Sequence, residues 1–137
     1  MHSIFLFIFI IINLVVVTSV RAETWVLPPH GIDIFGQIRT TQASRTETLL
    51  DIARQYDIGQ IEILLANPTV DRWLPEDGAK VILPSRYIIP HAERKGLVLN
   101  LPEMRIYYFP ETKQGEKPMI TTYPVGIGRM DWVTPRS

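Results

Sequence analysis

Apolar and polar positions along the chain follow two regimes, one with helical spacing and one with alternation. Leu49, Ile52, Ala53 and Tyr56 recur at intervals of three and four, which lays a single apolar stripe along a helix. Just ahead of it, Ser44-Arg45-Thr46-Glu47 has the spacing of a capping box, in which the serine hydroxyl accepts the third helical N–H and the glutamate reaches back. Gly59 is placed to supply the left-handed residue that ends such a helix. Ile61, Leu64 and Leu65 repeat the spacing in a second, shorter helix. That helix must stop before Pro68, because a proline pushes the preceding residue, Asn67, out of the helical region. Residues 37–42, with two threonines, and residues 80–83, closed by Pro84, read as strands. The order is strand, helix, helix, strand, and a unit this small buries one thin core with both helices on a two-stranded sheet.

Residues 85–95, rich in charge and proline, read as a linker, after which the pattern changes. Gly96-Leu-Val-Leu-Asn-Leu101 and Met104-Arg-Ile-Tyr-Tyr-Phe109 flank Pro102-Glu103 and read as a hairpin. Within it, Tyr107-Tyr108-Phe109 alternates faces, with Tyr108 turned outward. Residues 119–125 form a third strand ending in Gly126-Ile127-Gly128. This short glycine run lacks the third glycine and following helix of a dinucleotide loop and reads as a tight turn or bulge. Ahead of residue 37, Pro28-Pro29 and Gly31 predict an irregular lead-in. Three strands with apolar faces need a second layer, and the pattern offers no further segment to supply it.

The N-terminus stands apart from both regimes. Residues 4–17 are apolar except for Asn13 and give way to Val20-Arg21-Ala22, the small-residue exit of a secretory signal peptide cut after Ala22. A membrane-spanning helix wants roughly 20 apolar residues, so no stable span is expected once the leader is removed. Only the α-amino group and His2 precede the apolar core, which leaves an uncleaved anchor as the alternative.

Composition narrows the chemistry. The 14 Lys and Arg balance 14 Asp and Glu, so no excess of cations is available to neutralise a nucleic-acid backbone, and no nucleic-acid partner is expected. The absence of cysteine from the 137 residues excludes disulfides, thiolate metal sites and a cysteine nucleophile within them. His30 and His91 sit beside prolines in loops without companions at ligand spacing, so neither a metal nor a cofactor site is predicted. Glu76 and Asp77 are adjacent in a turn and lack the separation across a cleft that a glycosidase pair requires.

Residues 44–84 resemble a LysM module. Thr46-Glu47-Thr48-Leu49 stands where that family has Gly-Asp-Thr-Leu, Ile52-Ala53 follow, and Asn67-Pro68, Leu74-Pro75, Gly78 and Val81-Ile82-Leu83-Pro84 fit the second half. With Val70-Asp71, Trp73-Leu74-Pro75, Ile89-Pro90, the hairpin and Tyr123-Pro-Val-Gly-Ile-Gly128, the chain is similar to the periplasmic L,D-transpeptidases that carry an N-terminal LysM module. The resemblance implies an α+β chain. A small βααβ LysM module (44–84) would follow a leader (1–22) and a lead-in with the first strand (23–43), and precede a linker (85–95). Residues 96–137 would then be the first strands of an incomplete, mainly-β catalytic domain.

The resemblance further implies a periplasmic location, peptidoglycan glycan strands as the partner, and in intact relatives an envelope lipoprotein as a further partner. It places glycan contacts on Thr46, Glu47, Thr48, Leu49 and Asn67, although Thr48 equally suits a first helical turn; Trp73 can stack on a pyranose face beside such a groove, but next to Leu74-Pro75 it is favoured as a packing residue. In the family a cysteine in a Ser-His-Gly-Cys context, aided by histidine, attacks the L,D-peptide bond of a peptidoglycan stem and passes the acyl group to an amine. The family's Thr-Pro-x-Gly corresponds to Thr134-Pro135-Arg136-Ser137, so the catalytic segment is expected to be missing and the chain inactive as encoded, with no catalytic residue of its own. The alternative is a free-standing LysM module that binds peptidoglycan.

Overall fold

The computed structural model describes residues 23–126 and 128; the leader, Ile127 of the glycine turn and Thr134-Pro135 lie outside the described residues. Eight strands and two helices are present there: β1 (Thr24–Val26), β2 (Ile34–Gly36), β3 (Arg39–Gln42), α1 (Leu49–Gln55), α2 (Gln60–Ala66), β4 (Lys80–Leu83), β5 (Arg86–Ile88), β6 (Gly96–Asn100), β7 (Arg105–Phe109) and β8 (Met119–Pro124). The protein is α+β and mainly β.

The strand–helix–helix–strand order is present, with β3 and β4 antiparallel and Thr40 opposite Ile82. Leu49, Ile52, Ala53, Ile58 and Ile63 close over Val81 and Leu83, the inward-facing residues of β4. Three local expectations shift. The cap of α1 is Thr48 rather than Ser44: its hydroxyl accepts from Asp51 N–H at 3.1 Å while the Asp51 carboxylate accepts from Thr48 N–H at 3.0 Å. The left-handed residue after α1 is Asp57 (φ 53°), with Ile58 N–H returning to the Ala53 carbonyl at 2.9 Å, a Schellman closure. Gly59 is extended and begins α2 instead. On α2 the buried anchor is Ile63, and Ile61 and Leu65 face solvent, because the helix contacts β4 along a line rotated from the apolar stripe.

The predicted lead-in and linker are corrected by three strands. β1 pairs antiparallel with β8 and makes a four-stranded sheet in the order β1-β8-β7-β6. β2 pairs with β5 inside the predicted linker, Phe35 opposite Tyr87. The ladders β2/β5 and β3/β4 share one register and form a single ribbon interrupted at Gln37-Ile38 and Pro84-Ser85. Continued pairing would set Ile38 against Pro84, which has no N–H to give. Ser85, 1% exposed, fills the break by donating its hydroxyl to the Gln37 carbonyl at 2.7 Å. Gly36 (φ +74°) is required beside it, since a Cβ there would collide with the Ser85 carbonyl.

These segments supply the second layer that the pattern of the last three strands lacked. Phe35, Tyr87 and Ile89 pack on Tyr107, Phe109 and Ile120, with Trp25 and Leu27 closing the edge. Trp25 meets Phe35 edge-on at 5.4 Å and Tyr87 at 5.8 Å, the offset geometry that aromatic quadrupoles favour.

Arg105 joins the two cores. Its side chain is 1% exposed, and it donates to the Glu62 carboxylate on α2 at 2.8 Å, to the Asp57 carbonyl at 3.1 Å and to the Thr122 hydroxyl at 3.2 Å. The guanidinium also lies over the Tyr87 ring, 4.2 Å from its centroid. Every face of the ion is thus met by carboxylate, carbonyl, hydroxyl or π density, the condition for burying a charge.

Arg105→Met leaves Glu62 without its cation and the Asp57 carbonyl without a donor; urea titration should show a loss of roughly 3 kcal/mol. Arg105→Met combined with Glu62→Gln should recover part of it, and a single variant as stable as the parent would refute the clamp. Burial also pushes the Tyr87 phenol up to about 12 from an ordinary 10.0. Tyr107 is raised as well, by burial first and then by donating to Glu103 at 2.5 Å. Both are neutral and stabilising below pH 10; above it the unfolded chain ionises while the folded one does not. Stability should therefore fall as pH rises from 10 toward 12, by about 1.4 kcal/mol per pH unit for each such tyrosine. Tyrosinate absorbance that develops fully in the folded state before any loss of circular dichroism would contradict this.

Candidate functional site

The end of the βααβ unit remote from the four-stranded sheet is built from two loops, the one between β3 and α1 and the one between α2 and β4. Backbone bonds hold them side by side: Gly78 N–H to the Ala43 carbonyl at 2.9 Å, Ala43 N–H to the Ala79 carbonyl at 2.9 Å, and Leu49 N–H to the Arg72 carbonyl at 3.1 Å. Arg45 and Asp77 add a long, exposed ion pair at 3.9 Å, which contributes little.

The second loop is shaped by Asp71. Its carboxylate accepts from the N–H groups of Leu74 at 2.9 Å and Trp73 at 2.8 Å, and these bonds hold its pKa below the usual carboxylate range. The turn projects Trp73 and Leu74 outward, 63% and 71% exposed, so the packing role favoured for Trp73 is corrected. Its ring contacts the Arg72 guanidinium at 5.3 Å instead of the core. It is Pro75, two residues on, that is buried there.

The six predicted glycan residues divide between surface and interior. Thr46 is exposed, with its hydroxyl 3.0 Å from that of Ser44. Glu47 and Thr48 are half-buried, and the Thr48 hydroxyl and N–H are both engaged by Asp51, which lowers the Asp51 pKa. Leu49 is fully buried; it reaches the site only through its backbone bond to Arg72. Asn67 is 4% exposed, and its amide is bound to main chain: Nδ2 donates to the Ile63 carbonyl at 2.8 Å and the Ile82 carbonyl at 2.9 Å, and Oδ1 accepts from Ile82 N–H at 2.7 Å. It completes the free edge of β4 as a neighbouring strand would. Thr46, Glu47, Thr48 and Trp73 therefore belong to one surface, while Leu49 and Asn67 support it from within.

Sequence reasoning missed Arg72 and Asp71. The signal was present in Asp71-Arg72-Trp73-Leu74, an aspartate able to accept from the N–H groups two and three residues on. A second concavity, a cleft of about 540 Å³, opens between the start of α2 and the tip of the β6–β7 hairpin, with Asp57, Ile61, Glu103 and Val125 on its walls. Among the described residues no group of three His, Asp or Glu side chains could hold a metal ion. No helix there is long and apolar enough to cross a membrane.

Asn67→Ala removes three buried hydrogen bonds and leaves the Ile82 N–H unpaired, so chemical denaturation should show a loss of about 2–3 kcal/mol. Asn67→Asp, which turns a buried carboxylate toward the Ile63 and Ile82 carbonyls in place of two donated bonds, should be at least as destabilised as the alanine variant at pH 7; full stability in the alanine variant would exclude the edge-pairing role.

No family model matches the chain. Among curated proteins it is 36% identical over 118 residues to Probable L,D-transpeptidase YcfS of Escherichia coli K12, covering 84% of this chain and 36% of that protein. It is 37% identical over 118 residues to Probable L,D-transpeptidase ErfK/SrfK of the same strain, covering 85% and 37%. To Probable L,D-transpeptidase YbiS it is 32% identical over 120 residues, covering 86% and 38%. The chain thus spans a little over a third of the length of these relatives. Over that stretch the chain belongs to the L,D-transpeptidase family.

Proposed function

We propose that this is a peptidoglycan-associated protein of the periplasm. Its βααβ unit acts as a LysM module that grips glycan strands, and its four-stranded sheet belongs to an L,D-transpeptidase catalytic domain. The observation that carries the reading is the outward Arg72-Trp73-Leu74 turn, held by Asp71 and bonded to the start of α1 beside Thr46, Glu47 and Thr48. An exposed indole presents a flat apolar face with one N–H donor, suited to the C–H face of a pyranose ring, and the neighbouring hydroxyl, carboxylate and guanidinium groups suit its polar edges. A rigid, pre-built turn also lowers the ordering cost of a weak sugar contact.

Family kinship supplies the wider context, peptidoglycan cross-linking or lipoprotein attachment. These 137 residues hold no cysteine, so they provide no thiolate for acyl transfer and are proposed to be inactive by themselves. The part they play is to bind the wall and, through the Arg105 clamp, to hold the sheet at a fixed angle to the bound strand.

Co-sedimentation of the protein with purified peptidoglycan sacculi tests this. The parent should pellet with sacculi, Trp73→Ala should bind five- to tenfold more weakly, about 1–1.4 kcal/mol, and His91→Ala should behave as the parent. Recovery of the parent wholly in the supernatant at low salt, or indifference to Trp73→Ala, would remove the reading.

A further inference from the structure

The cleft of about 540 Å³ between the start of α2 and the tip of the β6–β7 hairpin shares no lining residue with the Trp73 turn. Its walls are mostly apolar, with Ile61 on the helical side and Met104 and Val125 on the sheet side. The carboxylates of Asp57, Glu62 and Glu103 line it as well, and their bonds within the chain leave acceptor capacity over. Glu62 takes both Arg105 Nη1 and Gly59 N–H on one oxygen, Oε2, at 2.8 Å each. Glu103 likewise takes the Tyr107 hydroxyl and Asn100 Nδ2 on Oε2. Asp57 forms no side-chain hydrogen bond among the described residues, and burial pushes its pKa up. The nearby cations do not bond to these open oxygens: Arg105 is sealed behind Glu62 at 1% exposure, and Arg54 is engaged by Asp51 at 3.0 Å. A cleft with one sign of charge in excess and low-dielectric walls focuses that field on its contents. Asp57 (φ 53°) and Met104 (φ 51°), the non-glycine residues of positive φ among the described residues, both lie on it. Glycine would adopt either conformation with less strain, so both side chains stand there against the backbone preference.

We propose that this cleft binds an aliphatic primary ammonium, the group that ends the side chain of lysine and of other diamino compounds. An ammonium carries three donors and no acceptor, which complements oxygens left open at Asp57, Glu62 and Glu103. Its alkyl stem lies along Ile61, Met104 and Val125, as long cationic side chains lie on apolar surface. A divalent metal ion is a poorer occupant, because among the described residues no three acidic or histidine side chains stand close enough to hold one. An ammonium on a flexible stem needs only one or two carboxylates at a time. The proposal is independent of glycan binding, since none of its residues belongs to the loops that carry Thr46 and Trp73.

Amide NMR of the isotope-labelled full chain, titrated separately with Nα-acetyl-lysine amide and with cadaverine, tests this. At millimolar concentration the amides at residues 57–62 and 103–105 should shift saturably. Tighter binding of the blocked lysine assigns the site to an amine borne on a peptide, and tighter binding of cadaverine to a free diamine. Nα-acetyl-norleucine amide, which keeps the stem and lacks the ammonium, should bind roughly tenfold more weakly. Asparagine and glycine both suit a left-handed position, so Asp57→Asn and Asp57→Gly should match the parent in far-UV circular dichroism while affinity falls about five- to tenfold. His91→Ala should bind as the parent does. The proposal is overturned by the absence of saturable shifts with both amines, by shifts that map away from the cleft, by equal binding of the norleucine compound, or by affinity unchanged in both Asp57 variants. Sacculus binding reports on the Trp73 turn instead, so the failure of either reading is seen separately.

Discussion

A guanidinium removed from water must be met on every side, and the placement of Arg105 sets the arrangement of everything around it. Bringing a charge into a low-dielectric interior costs several kcal/mol, which is offset only where partners are fixed in advance. Here those partners come from four places: Glu62 on α2, the carbonyl of Asp57 in the turn before it, Thr122 on β8 and the face of Tyr87 on β5. The helical unit and the sheet cannot slide against each other without stranding the ion. Two small cores, each thin for a stable domain, thereby become one cooperative structure.

The ribbon of β2–β3 and β4–β5 does the same by covalent means. One register runs through both ladders, so the strands that carry the helices also carry Phe35 and Tyr87 into the aromatic core. The ribbon buries one continuous face, Val81 and Leu83 against the helices and Tyr87 and Ile89 against the sheet, with buried Ser85 between them. Ser85 bridges the break through its hydroxyl, and Gly36 lets the two chains approach there.

The helices, β3, β4 and the β6–β7 hairpin were legible because spacing and alternation are properties of adjacent residues. Leu49, Ile52 and Ala53 are buried as the stripe required, and Tyr107 points inward while Tyr108 points outward. The cap was misplaced since Ser44 and Thr48 both offer the motif's hydroxyl, and only the reciprocal Thr48–Asp51 bonds show which one starts the helix. Gly59 was assigned the left-handed turn on intrinsic preference, whereas the burial of Ile58 one residue earlier forces that conformation on Asp57. At the candidate site, Asn67 and Trp73 exchanged expected roles: the polar residue went inside to pair a strand edge and the aromatic went outside.

By itself, the sequence determined the helical and hairpin segments, the want of any thiol and the resemblance to L,D-transpeptidases, since each is written within a few neighbouring residues or in the composition. The tertiary structure alone decided that Thr24–Val26 is an edge strand, that Arg86–Ile88 is not a linker, and that Arg105 is a clamp. The physical reason is separation along the chain. Thr24 meets Thr121 across 97 positions and Arg105 meets Glu62 across 43, and a three-residue strand or a lone arginine has no local signature until its distant partner is in place.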